Sequence, residues 1–136
     1  MTRESKFMAG FLLITLPTVM IGGVSLLSLL IGDPAYAANE LRQDLWRAGH
    51  AHAGVFLLLA LIALRYVDDA NLSDPFRWLA RLSIPLSAIL IPAAFFFSVL
   101  SPDAREPNGF IYLAYVGAVF LAAGVLTLGI GLVRAR

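Results

Sequence analysis

The chain is 136 residues long, 60% hydrophobic and only 14% charged, with a mean hydropathy of +0.82. Such a composition is too apolar for a soluble domain of this size and predicts an integral membrane protein. The net charge of +1 is carried by basic residues scattered in ones and twos, which excludes a nucleic-acid partner; the lack of cysteine excludes disulfides, Cys-ligated zinc, iron–sulfur clusters and covalently attached c-type haem.

Charged residues delimit four apolar runs, residues 7–31, 48–64, 82–100 and 110–133. Each approaches the roughly 20 residues that a hydrocarbon layer of about 30 Å requires at about 1.5 Å per residue. The runs are continuously apolar rather than alternating, which excludes a β-barrel. The expected fold is therefore all-α: a single domain over residues 1–136, built as a bundle of four transmembrane helices with too little chain between them for a soluble catalytic domain.

The first run carries Pro17 and Gly22-Gly23, which predict a kink or a close helix contact. Arg3 and Lys6 ahead of it, and Ala35-Tyr36-Ala37 behind it, imitate a secretory signal. The apolar stretch is too long for a signal core and is read as a retained helix. Beyond Gly32-Asp33-Pro34, Asn39 is a capping residue for a short amphipathic helix at 39–47, in which Leu41, Leu45 and Trp46 lie beside Glu40, Arg42 and Asp44. This segment is expected to rest on the outer membrane surface and lead into the second run.

The second run ends at Arg65-Tyr66, and Ser73-Asp74-Pro75 signals the next helix start. Phe76, Arg77, Trp78 and Arg81 read as an inner interfacial anchor. Pro85 and Pro92, seven apart, bend the third helix on one face. In the fourth, Ala114, Ala118 and Ala122 form one small-residue ladder and Ala123, Thr127 and Gly131 another, which predicts close packing at the centre of the bundle or between copies. With Arg3 and Lys6 inside, Arg65, Arg77, Arg81, Arg134 and Arg136 also fall inside, and only Arg42, Arg47 and Arg105 outside. That bias places both termini in the cytoplasm, the membrane being a bacterial inner membrane.

Two histidines, His50 and His52, are the only side chains within an apolar run that ionise near neutral pH. Imidazole in a membrane is costly and marks a candidate site. Residues two apart on a helix diverge by about 200°, so His50 and His52 do not chelate one metal ion from one helical face. Alanine and glycine from Ala48 to Gly54 leave room for a flat macrocycle or another helix, so that one imidazole can serve as the axial ligand of a b-type haem. The haem would be five-coordinate, take Met20 as its second ligand, or draw a second histidine from a two-fold copy or a partner protein. A metal site would recruit Glu40 and Asp44, and a structural role would satisfy both rings with backbone, water, Tyr112 or Tyr115.

His50-Ala51-His52 at the start of the second run also resembles the His-x-His early in a transmembrane helix of small four-helix proteins similar to fragments of haem-copper oxidase subunit I. The resemblance implies that His50 or His52 ligates haem. Leu57 stands about where those relatives carry a glycine, and the histidines of a copper site are absent, so the likeness does not extend to oxygen reduction.

Three functions follow as expectations: electron transfer or sensing through haem b at the His50/His52 segment; a non-catalytic accessory or assembly subunit, acting as a homo-oligomer or within a larger membrane complex; and a small transporter or proton channel. The residues alone do not fix an enzymatic reaction.

Overall fold

The computed structural model describes residues 1–135, and all the regular structure among them is helical. The helices are α1 (Arg3–Gly32), the single turn α2 (Pro34–Ala37), α3 (Glu40–Tyr66), α4 (Asp74–Phe97) and α5 (Leu113–Val133), the last preceded by a 3-10 turn at Gly109–Tyr112. Four of these segments are long and apolar enough to cross a membrane. They agree with the four runs marked out in the sequence, but the helices extend further into the flanking polar residues.

Two boundaries differ for a physical reason. The expected surface helix at 39–47 is not a separate element, because α3 runs unbroken from Glu40 through the histidines to Tyr66. Asn39 starts it, its Oδ1 accepting from the Arg42 N–H at 3.1 Å, and nothing between Trp46 and Ala48 interrupts the backbone ladder. Likewise α4 begins at Asp74 rather than near residue 82, with Pro75 in its first turn where the missing N–H costs nothing. Charge marks where an apolar run stops; it does not stop a helix.

The helices pack in chain order, α1 on α3, α3 on α4 and α4 on α5, with only a brief α3–α5 contact. A shared core forms where α3, α4 and α5 converge, from Ala60, Ala63, Val67, Ala80, Ile84 and Leu128. Gly117 and Gly124 set the seam of α5 against α4, and Gly131, a further seven residues on, sets it against the α3–α4 turn. A Cβ at these positions would lie 2.6 Å from Ile91, Ile84 and Leu72 respectively, so only glycine permits the approach. The alanine ladder falls elsewhere: Ala118 and Ala122 face outward. Close packing of the last helix is thus present, but the residues that make it are the glycines.

Each end of the helix row is tied by buried polar groups. At the end bearing the termini, Arg81 and Asp68 form an ion pair of 2.5 Å with side chains only 5% and 8% exposed. Arg81 Nε donates to Ser5 Oγ at 3.1 Å and Nη2 to Thr2 Oγ1 at 3.0 Å, while the Thr2 backbone N–H donates to Asp68 Oδ2 at 2.7 Å. Burial pushes the Asp68 carboxyl up, but the bonds from the Thr2 N–H, Arg81 and Ser5 outweigh it and hold the group below the usual carboxylate range. Arg81 is therefore not an exposed interfacial anchor; it joins the start of α1, the α3–α4 turn and α4.

At the opposite end the orphan carbonyls that close α4 are met one by one. Trp46 Nε1 donates to Phe96 O at 3.1 Å, Asn108 Nδ2 to Phe97 O at 3.1 Å and the Asn108 N–H to Ser98 O at 2.9 Å. Arg42 Nε reaches Val99 O at 3.1 Å. The Arg42 guanidinium lies 4.4 Å from the Trp46 ring centroid and 5.8 Å from that of Tyr36, and these two rings stack at 5.5 Å. A cation held by aromatic faces and carbonyl oxygens needs no carboxylate partner, and it complements the negative end of the helix dipole.

Candidate functional site

His50 and His52 project from α3 towards different neighbours, as the helical period dictates. His50 turns to α1, where Gly22 and Gly23 leave a notch in the helix surface. A Cβ on Gly23 would stand 2.9 Å from His50 Nε2, and one on Gly22 would stand 3.6 Å from Nδ1. The nitrogen-bearing edge of the ring therefore lies directly on α1 backbone. His50 has no hydrogen-bond partner among the described residues, although its ring is half-buried.

His52 turns towards α4. Its Nδ1 lies 2.6 Å from Ala48 O one turn back, and because a carbonyl only accepts, Nδ1 carries the proton and Nε2 of the neutral ring keeps its lone pair. The ring packs against Phe56 and Phe95 at centroid distances of 5.3 and 5.2 Å. Between the two histidines' faces, Gly49 is buried under Phe95 and Phe96, its absent side chain allowing α3 and α4 to close.

The other sequence candidates are not brought to the pair. Asp44 is turned to Arg47 at 2.7 Å and is exposed, and no group of three His, Asp or Glu side chains able to hold a metal gathers among the described residues. Tyr112 and Tyr115 are 68% and 70% exposed and stack on each other rather than bonding to either imidazole. Met20 lies on the outside of α1.

This placement decides how a haem would fit. A macrocycle held between His50 and His52 does not fit, since the rings address different helices, and one at His50 would have to displace α1 from the Gly22-Gly23 notch. In its neutral form His52 would have the donor chemistry of an axial ligand, with Nδ1 held by a carbonyl and the lone pair on Nε2, the arrangement that orients metal-binding histidines. The chain has no third histidine to oppose it.

Sequence reasoning found the histidines but not their receptors. The Gly22-Gly23 notch was legible only as a close contact with an unnamed helix. Arg42 and Arg81, buried charges that order the ends, read as surface residues in the sequence because the carbonyl that meets one and the carboxylate that meets the other lie 57 and 13 residues away.

Replacing Gly23 with Leu is expected to force His50 and α1 apart and to lower the melting temperature in mild detergent by several degrees. Overpacking of this kind costs about 1–3 kcal/mol. Gly10→Leu, on the same helix with nothing within 4 Å of its Cβ position, is expected to leave melting unchanged. Equal melting of the two variants would show that the His50 contact does not hold α1. Comparison of the chain with protein-family models, curated proteins and solved structures gives no match, so the resemblance to haem-copper oxidase fragments rests on His50-Ala51-His52 alone.

Proposed function

We propose that this chain is an integral protein of a bacterial inner membrane, with both termini in the cytoplasm, that acts as a non-catalytic subunit through lateral helix contacts in a larger membrane assembly. One observation carries the reading: both histidines are engaged in helix packing, one in the Gly22-Gly23 notch and one against Phe56 and Phe95. No convergent set of polar groups remains around them for chemistry. The helix row supports the same reading. α1 contributes a single buried residue, Ser5, and leaves Phe7, Ile14 and Ile31 between 75% and 78% exposed, an apolar surface available to lipid or to a partner helix.

Extraction of native membranes into polymer-bounded lipid discs, followed by cross-linking and native electrophoresis, tests this. The chain is expected to migrate with a larger complex and to do so equally after His50→Gln/His52→Gln. A solitary monomer in native discs would contradict the proposal, as would loss of the assembly in the double variant.

A second reading, b-type haem at His52 serving electron transfer, is favoured by the Nδ1 bond to Ala48 O. Haem would bring one-electron chemistry; the chain's own part would be to present Nε2 in a fixed orientation. The second axial ligand, if one is used, would come from a copy or a partner. A Soret band in the purified protein that His52→Ala abolishes and His50→Ala spares is the expected result on this reading. A featureless spectrum after growth with haem precursor would remove it.

A further inference from the structure

The loop from α4 to α5 is held at its end by one asparagine. Asn108 Nδ2 donates to Phe97 O at 3.1 Å, and its Oδ1 accepts from the Phe110 N–H at 2.9 Å. Its backbone N–H donates to Ser98 O at 2.9 Å, and its carbonyl accepts from the Ile111 N–H at 3.1 Å. The side chain thus closes the end of α4 with its donor and starts the 3-10 turn before α5 with its acceptor. Aspartate can perform the second task but not the first. It has no donor for Phe97 O, and its charge would stand at the negative end of the α4 dipole.

Neither packing nor backbone shape requires the glycine that follows. A Cβ on Gly109 would meet nothing within 4 Å, its φ is not positive, and it opens a helical turn that alanine forms more readily. Its effect is chemical. With no side chain to shield it, the nitrogen of Gly109 has access to the carboxamide of the residue before it, and an asparagine so placed is thermally labile. That nitrogen has no hydrogen-bond partner among the described residues, and both residues are exposed to water.

We propose that Asn108-Gly109 is a site of spontaneous deamidation that the closed loop guards, and that conversion keeps the loop from closing again. The Gly109 nitrogen bonds to Asn108 Cγ, the Cγ–Nδ2 bond breaks, and Nδ2 leaves as ammonia with the proton of the Gly109 amide. Water then opens the cyclic imide at either carbonyl, giving aspartate or, with the chain routed through Cγ, isoaspartate. In the closed loop the bonds to Phe97 O and from the Phe110 N–H hold the carboxamide away from this path. Local opening releases it. Either product lacks the donor that meets Phe97 O, and isoaspartate also lengthens the backbone between the partners of Asn108. Asn39 keeps the loop shut from the other side: its Nδ2 donates to Pro102 O at 3.3 Å and Ala104 O at 3.0 Å, while its Oδ1 caps α3.

Protein in lipid discs is aged at mildly alkaline pH, and conversion at Asn108 is followed by peptide mass spectrometry, with isoaspartate read by enzymatic methylation. Asn39→Ser retains a good cap for α3 but loses both bonds to the loop, and it is expected to convert several-fold faster than the wild type. Wild type unfolded in denaturant is expected to convert faster than the folded protein. Gly109→Ala is expected to slow conversion several-fold in both backgrounds and to leave melting unchanged. Asn108→Asp, the product made by substitution, is expected to speed amide exchange over residues 98–112. Equal rates in folded and unfolded wild type, or in the wild type and a folded Asn39→Ser, would overturn the guard. Unchanged exchange in Asn108→Asp would overturn the opening of the loop.

Discussion

The buried pair of Asp68 and Arg81 is the interaction on which the arrangement of α1 depends. On the membrane residence proposed above, apolar side chains gain nothing by leaving hydrocarbon for one another, so helices are held by close packing and by polar groups that have no better partner elsewhere. α1 has almost no close packing to offer, with Ser5 as its one buried residue. Its start is attached by Thr2 and Ser5, which bond to a pair whose charges are already compensated, while further along Leu12 packs against the core and Gly22-Gly23 receives His50. Removing either partner leaves a buried charge alone, which costs about 3–5 kcal/mol. The same logic explains why Asp68 stays ionised at lower pH than an ordinary carboxyl. A carboxyl held below its ordinary range stabilises the fold above that range and ceases to do so as acid protonates it.

At the far end the problem is not charge but unpaired backbone. α4 stops against a loop that must remain closed, and its last carbonyls find Trp46, Asn108 and Arg42. These donors come from the first part of α3 and from the loop before α5, so the caps of one helix fix the positions of two others. The histidines sit just beyond this cluster on α3. Their divergent directions follow from its regular helix: one ring fills a glycine notch in α1 and the other packs among phenylalanines of α3 and α4. His50 thereby joins α1 to α3, and His52 joins α3 to α4.

Much of this was legible in the sequence where the signal is local. Continuous apolar runs gave the number of long helices, Asn39 and Ser73-Asp74-Pro75 gave two of their starts, and the two-residue spacing of His50 and His52 gave their divergence. Signals that depend on distant residues were not legible. Arg42 reads as the polar side of a surface helix until Val99 and Leu100 are placed beside it. Arg81 reads as an interfacial cation until Asp68, thirteen residues earlier, folds back on it. In α5 both alanines and glycines recur at helical spacing, and only the neighbouring side chains of α4 and of the α3–α4 turn reveal that Gly117, Gly124 and Gly131 are the contact. A seven-residue glycine spacing was available as a clue and is the stronger one, because a missing Cβ permits an approach that alanine does not.

The central claim is that the buried pair of Asp68 and Arg81 holds the first turns of α1. Amide hydrogen exchange on Asp68→Asn in lipid discs tests it most directly. The account predicts greatly accelerated exchange over the first turns of α1, residues 3–10, with protection of α4 and α5 retained. Exchange in α1 identical to the wild type would contradict it, since the helix would then be held by something other than the buried pair.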